Sequence, residues 1–223
     1  MNSTSRRVRW IVWGGLFATM AVVGVLFVRS ELDRRALRRL YPVLFHVGGF
    51  SLTNQIGRPV TLNHLRGQVW IANIIFTRCA GPCPTLTRQM SRLQEVLPPD
   101  APIRLVTLTA DPEHDTPAVL ADYARRAGAD PTRWAFLTGP RSEIARVAVE
   151  GLKLVAVEKD EAARENPSDL FIHSTLFVLV DRQGRLRGFA GPDFTEIRGG
   201  VESEDPEAIA KLAQAAAALA RER

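Results

Sequence analysis

A chain of 223 residues is long enough for one sizeable core with residues to spare, and 46% hydrophobic content is that of a folded domain. Its formal charge of +5 is unevenly placed: residues 1–39 hold eight arginines against Glu31 and Asp33, a net of +6, while the remainder, with 21 basic and 22 acidic residues, stands at −1. A near-neutral domain without a basic stripe argues against nucleic acid as a partner.

The first element is WIVWGGLFATMAVVGVLFV, Trp10 to Val28, 19 residues without a charge. At about 1.5 Å per residue it spans about 28 Å, close to the hydrocarbon thickness of a bilayer. Trp10 and Trp13 sit where interfacial rings are favoured. The run is longer than the core of a signal peptide, and no A-x-A cleavage site follows it, so it reads as an uncleaved anchor. Arginines flank it on both sides, three before and five after, and charge alone therefore does not set its orientation.

ELDRRALRRLYPVLF follows with helical periodicity and reads as a charged stalk. FSLTN and PVTLN flank a turn at Gly57 and form a hairpin. VWIANIIF (Val69 to Phe76) is a continuous apolar run rich in β-branched residues, the signature of a strand buried on both faces. TRCAGPC is a loop. From Pro84 a helix runs through Leu86, Met90, Leu93 and Leu97 and stops at Pro98-Pro99. IRLVTLTA is a second buried strand, and DPEHDTP a turn that starts a helix carried by Val119, Leu120, Tyr123 and Ala124. Helical residues from Ile144 to Val149 lead to KLVAV, a strand, and then to the charged loop EKDEAARENPSD. HSTLFVLVD and RLRGFAG pair across the turn DRQG, and a last helix runs from Pro206 to Leu219. The order is hairpin, β, α, β, α, α, β, β, α. This predicts an α/β domain with a mixed sheet and helices on both faces. The organisation is a tail (1–9), a transmembrane anchor (10–28), a stalk or linker (29–48) and one domain (49–223).

The chemistry concentrates in TRCAGPCPT, which holds both cysteines, Cys79 and Cys83. Cys79 lies just past a buried strand and Cys83 just before Pro84, a residue suited to the first turn of a helix. Sites in open α/β sheets form at the carboxyl ends of strands. A helix N-terminus lowers a thiol's pKa, so Cys83 is expected to be thiolate-like. The C-x-x-x-C spacing allows a disulfide, hence a dithiol oxidoreductase. Two thiolates also suit a soft ion, Cu(I) above all, or begin a zinc site; two ligands are few for any other metal, so a third is expected. Of the four histidines, His46 lies in the linker, His64 in a polar turn and His114 in a solvated turn. His173 opens an apolar strand at the rim of the sheet. A peroxide-reducing enzyme is a third reading, resting on Arg78 beside Cys79.

Three motifs in order, IIFTRCAGPCP, DPEHDTP and HSTLFVLVDRQGRL, resemble the Sco/SenC family, membrane-anchored thioredoxin-fold copper chaperones of cytochrome c oxidase assembly. The resemblance covers about residues 50–190. It implies a thioredoxin-like fold with an N-terminal β-hairpin extension, preceded by a single transmembrane helix. It implies that Cys79 and Cys83 match the copper thiolates and His173 the distal imidazole. Two thiolates satisfy Cu(I), and an added imidazole suits Cu(II). It further implies delivery to the copper A site of cytochrome c oxidase subunit II, with a periplasmic copper donor or thiol reductant as a second partner. The alternative is a membrane-anchored thiol–disulfide oxidoreductase acting on the cysteines of that site or on other extracytoplasmic disulfides. The expected location is a bacterial inner membrane, with the domain in the periplasm, because the segment before the anchor is short for a transit peptide. Two positions depart from the family pattern: Ala80 stands where proline is common, and Ile172 where aspartate often precedes the histidine. Asp111 and Asp115 match the family without an assigned role, Asp115 or Thr116 reading first as a helix N-cap. Met90 reads as core.

Overall fold

In the computed structural model, described here are residues 3–158, 171–191, 196–203, 205 and 207–222, without the side chains of residues 3–8, 156–158 and 171–173. The loop expected over EKDEAARENPSD therefore lies almost wholly outside the described residues. The chain divides into two compact units, Met1–Arg39 and Leu40–Arg223.

The first unit is helix α1, Ser3–Leu40, which carries the apolar run and continues unbroken through the charged segment behind it. It is the one helix among the described residues long and apolar enough to cross a membrane, by length and composition. The stalk helix stops earlier than its periodicity suggested. Pro42 cannot continue it, and Val43–His46 turns into a strand, β1, of the second unit.

In the second unit β2 (Ser51–Asn54) and β3 (Pro59–Thr61) form the expected antiparallel hairpin. Gly57 at its turn takes φ +74, a left-handed conformation that a side chain disfavours. A single turn, α2 (Leu62–Leu65), leads to β4 (Val69–Ile75), every residue of which is buried. Helix α3 (Cys83–Val96) buries Leu86, Met90 and Leu93 along one stripe. Then come β5 (Ile103–Thr109), α4 (Pro117–Arg126) and β6 (Trp134–Thr138). Helix α5 (Arg141–Ala145) widens into a π-helical turn, Arg146–Gly151. Strands β7 (Ala156–Glu158) and β8 (Phe171–His173) pair with each other, and β9 (Leu176–Val180) and β10 (Arg185–Arg187) form the predicted hairpin. Short β11 (Phe189–Ala190) and β12 (Ile197–Arg198) pair, β13 (Val201–Glu202) joins β9, and α6 (Ala208–Ala220) closes the chain.

The main sheet runs β1-β10-β9-β4-β5-β6-β2-β3. Strands β4, β5 and β6 are parallel, and β9 is antiparallel to β4. Helices α3 and α6 pack on each other and on β4, while α4 packs on β6. β6 was not among the expected elements. WAFLT is a five-residue apolar run pinned between Pro131 and Gly139-Pro140, and it extends the parallel set from two strands to three.

The far edge is held by one buried cation. Arg187, with no exposed side chain, donates to Tyr41 O at 2.6 Å, to Asp181 Oδ2 at 2.8 Å and to Glu222 Oε2 at 3.3 Å. It thereby joins the first residues of the unit, the β9–β10 turn and the end of the chain.

Candidate metal and dithiol site

Because β4 and β5 are parallel neighbours, the loops that leave them emerge side by side at the carboxyl end of the sheet. One loop is T-R-C-A-G-P, the other D-P-E-H-D-T. A backbone bond from Ala110 N to Ile75 O, 2.7 Å, fastens the two exits together. The Cys79 N–H donates to Phe76 O at 3.2 Å, so residues 76–79 form a tight turn that places Cys79 directly over the end of β4. Pro82 then caps α3, whose first residue is Cys83.

The two cysteines are brought together as the spacing predicted. Cys79 is half-buried, Cys83 has no exposed surface, and the thiols are hydrogen-bonded to each other. One expectation is corrected. Cys83 is not thiolate-like: its pKa is pushed far up by the hydrogen bond to Cys79, then by burial, with the negative charges of Cys79 and Asp115 adding to the effect. A backbone hydrogen bond with Phe76 acts the other way and is outweighed. The helix N-terminus does favour an anion. Here it is opposed by desolvation and by a carboxylate on the neighbouring loop.

That carboxylate is Asp115, wholly buried. It accepts from Thr77 N (3.1 Å), Thr77 Oγ1 (2.5 Å) and Thr109 Oγ1 (2.5 Å), and pairs with His114 Nδ1 (3.1 Å). Asp111, also buried, receives Arg78 Nη2 at 2.6 Å and is tied to Asp115 through the Asp115 N–H on Asp111 O, 2.8 Å. The N-cap of α4 is Thr116, accepting from Val119 N, and not Asp115. Of the two cap candidates it is Thr116 that caps, and Asp115 instead ties the two loops together. The signal was available in the apolar strand that ends in Thr109 and in Thr77 before Cys79, since a buried carboxylate needs such donors.

Asp111, His114 and Asp115 gather their ligand atoms within 4.8 Å of one another. Their carboxylates are engaged by Arg78 and by the threonines, so the donors that face copper chemistry are the sulfurs. Arg78, proposed for peroxide chemistry, is spent on Asp111. Met90 is core, as expected. Tyr123 reaches from α4 to place its hydroxyl 2.7 Å from Thr87 Oγ1 on α3, behind the cysteines.

His173 ends β8, its backbone opposite Ala156. Strand β9 starts three residues later and runs antiparallel to β4, Val178 facing Ala72. Running antiparallel, β9 begins toward the carboxyl end of β4, the end that bears the cysteines. The side chain of His173 lies outside the described residues. A cavity of about 490 Å³ lined by Gln68, Arg104, Asp130 and Arg133 lies at the other end, where β4 and β5 begin, and holds neither cysteine.

The SCO1/SenC family model matches residues 43–199. A Bacillus subtilis relative, described as a SCO1 protein homolog, is 35% identical over 157 residues, covering 69% of this chain and 78% of its own. A solved structure of BsSco, described as a member of the Sco family of cytochrome c oxidase assembly proteins with a disulfide switch, is 28% identical with a TM-score of 0.63, over 82% of this chain and 98% of that one. Copper-bound ScoI of Bradyrhizobium japonicum is 27% identical with a TM-score of 0.58, over 77% of this chain and 99% of that one. The thioredoxin-like fold expected from the motifs is the fold these structures share with it. On the family match across residues 43–199 and the 35% identity over 78% of the Bacillus subtilis relative, the chain belongs to the SCO1/SenC family.

Proposed function

We propose that this protein is a membrane-anchored copper-handling assembly factor that supplies copper to the copper A site of cytochrome c oxidase subunit II. Cys79 and Cys83 grip the ion and His173 completes the set. The observation that carries the proposal is the pair of thiols, hydrogen-bonded to each other at the mouth of a buried strand with no other soft donor in the described loops beside them. Copper is the cargo, and two sulfurs suit Cu(I) while an imidazole adds stability to Cu(II). A copper-bound relative and a relative assigned to oxidase assembly support the reading. On this account α1 anchors the chain in a bacterial inner membrane and the domain works in the periplasm, where the copper A site is exposed.

A strain lacking the gene, complemented with variants, tests delivery through the copper A spectrum of its purified oxidase. Wild type restores the spectrum. Cys79→Ser and Cys83→Ser do not, and His173→Ala restores it only in part. Full restoration by the double cysteine variant contradicts the proposal.

Thiol–disulfide exchange with a client protein is a second reading, favoured by the unequal exposure of the two cysteines. The half-buried Cys79 attacks a client disulfide, one client sulfur leaves and takes a proton, and buried Cys83 then attacks Cys79 to release the second. Two electrons pass to the client, and Cys79–Cys83 becomes a disulfide. His173→Ala separates the readings, because exchange is unaffected by it and copper delivery is weakened.

A further inference from the structure

The turn that presents Cys79 is held at its two middle residues, and both holds come from one neighbouring loop. Thr77 offers its N–H and its hydroxyl to Asp115, and Arg78 offers its guanidinium to Asp111. The two anchors differ in weight. Arg78 is half-exposed, and an ion pair of that kind contributes little. Asp115 has no contact with water and is itself fixed to the last residue of β5 through Thr109, so it acts as a rigid post. Cys83 needs no such post, since the first turn of α3 and its burial in the core place it already. Of the two sulfurs, Cys79 is the one whose position depends on a loop.

We propose that Asp115 is a positioning residue, acting through the Thr77 hydroxyl to hold the 76–79 turn so that the Cys79 sulfur stays beside that of Cys83. This deepens the copper reading and rests on it for the metal. The positioning also sets the effective concentration of one thiol toward the other, which is measurable without metal. Supporting hydrogen bonds around a metal site are worth about 10–100-fold in affinity.

The test uses the full chain in detergent, with Thr77→Val, Thr77→Ser, Asp115→Asn and, as a control, Leu93→Ala in the core of α3. Two quantities are read: Cu(I) affinity by chelator competition, and the equilibrium constant for forming the Cys79–Cys83 disulfide from oxidised glutathione, with release of two reduced glutathiones. Thr77→Val and Asp115→Asn lower both by about tenfold or more. Thr77→Ser, which keeps the hydroxyl, stays within about twofold. Leu93→Ala lowers the melting temperature at least as far as Thr77→Val but leaves both constants near wild type. Thr77→Val matching wild type in both constants overturns the proposal. So does Thr77→Ser falling as far as Thr77→Val, or Leu93→Ala falling with them, which makes the effect general loosening. If wild type takes up no copper, the functional reading fails while the disulfide constant still decides the positioning role.

Discussion

Cys83, a copper ligand on the proposed function, combines complete burial with a hydrogen bond to Cys79 that favours its protonated form. Its pKa is raised above that of the unfolded chain, so the protonated form is favoured by folding. The sign follows: the contribution is present below the unfolded value, about 8.5, and is lost as pH climbs through the folded one. Above about pH 8.5 the metal-free domain is expected to lose up to about 1.4 kcal/mol of stability per pH unit from this group. Urea midpoints at pH 7.5 and 9.5 check it: the wild type drops more than Cys83→Ser, whose hydroxyl does not titrate, and equal drops refute it. The same proton must leave when copper binds, so apparent affinity rises with pH. At this scale the cysteines were legible because C-x-x-x-C before a proline is a local pattern. The ionisation of Cys83 was not, because the hydrogen bond to Cys79 and the burial that raise its pKa arise only when the loop packs over the core, with Asp115, 32 residues away in sequence, adding a smaller push across the parallel pair β4 and β5.

Elements that announce themselves by period or by a continuous apolar run were readable: β4, β5, the stripe of α3 and the β2–β3 hairpin. Strand β6 was not, since five residues give too short a run to separate from a loop and its partner Leu105–Leu108 is distant in sequence. The π-helical turn after α5 was equally silent, because Ile144 to Val149 carry an ordinary helical pattern. Lys153 just beyond it takes φ +58 and sets its ammonium 4.2 Å over the ring of Phe45 in β1. The buried Arg187 is the feature of the edge that carries the largest energetic consequence. Asp181→Ala removes its main counter-charge and leaves a guanidinium inside the fold, a change of about 3–5 kcal/mol against stability. Thermal denaturation checks it. A shift no larger than that of an exposed control such as Asp122→Ala would show that Glu222 and Tyr41 O suffice to hold Arg187.

On the scale of the whole molecule the two units divide the labour. Leu40–Arg223 has its own continuous core and carries both cysteines, whereas the apolar run Trp10–Val28 of α1 is exposed. Residues 40–223 expressed alone are therefore expected to be soluble, monodisperse without detergent and to melt at the same temperature as the full chain. Aggregation of that fragment contradicts the division. The alternation of strands and helices made the α/β class legible, and the resemblance of three ordered motifs made the family legible. What composition could not convey is how those motifs meet: CxxxC and DPEHDTP lie side by side because β4 and β5 are parallel neighbours, and on the proposed function β9, on the other side of β4, brings the start of HSTLFVLV to join them. Copper content is the most direct test of that convergence. Metal analysis and the X-band spectrum of the purified protein after Cu(II) loading and desalting should give one copper per chain for wild type. They should give none for Cys79→Ser/Cys83→Ser, and a weakened, spectrally altered site for His173→Ala. A double cysteine variant that retains one copper with an unchanged spectrum would contradict the account.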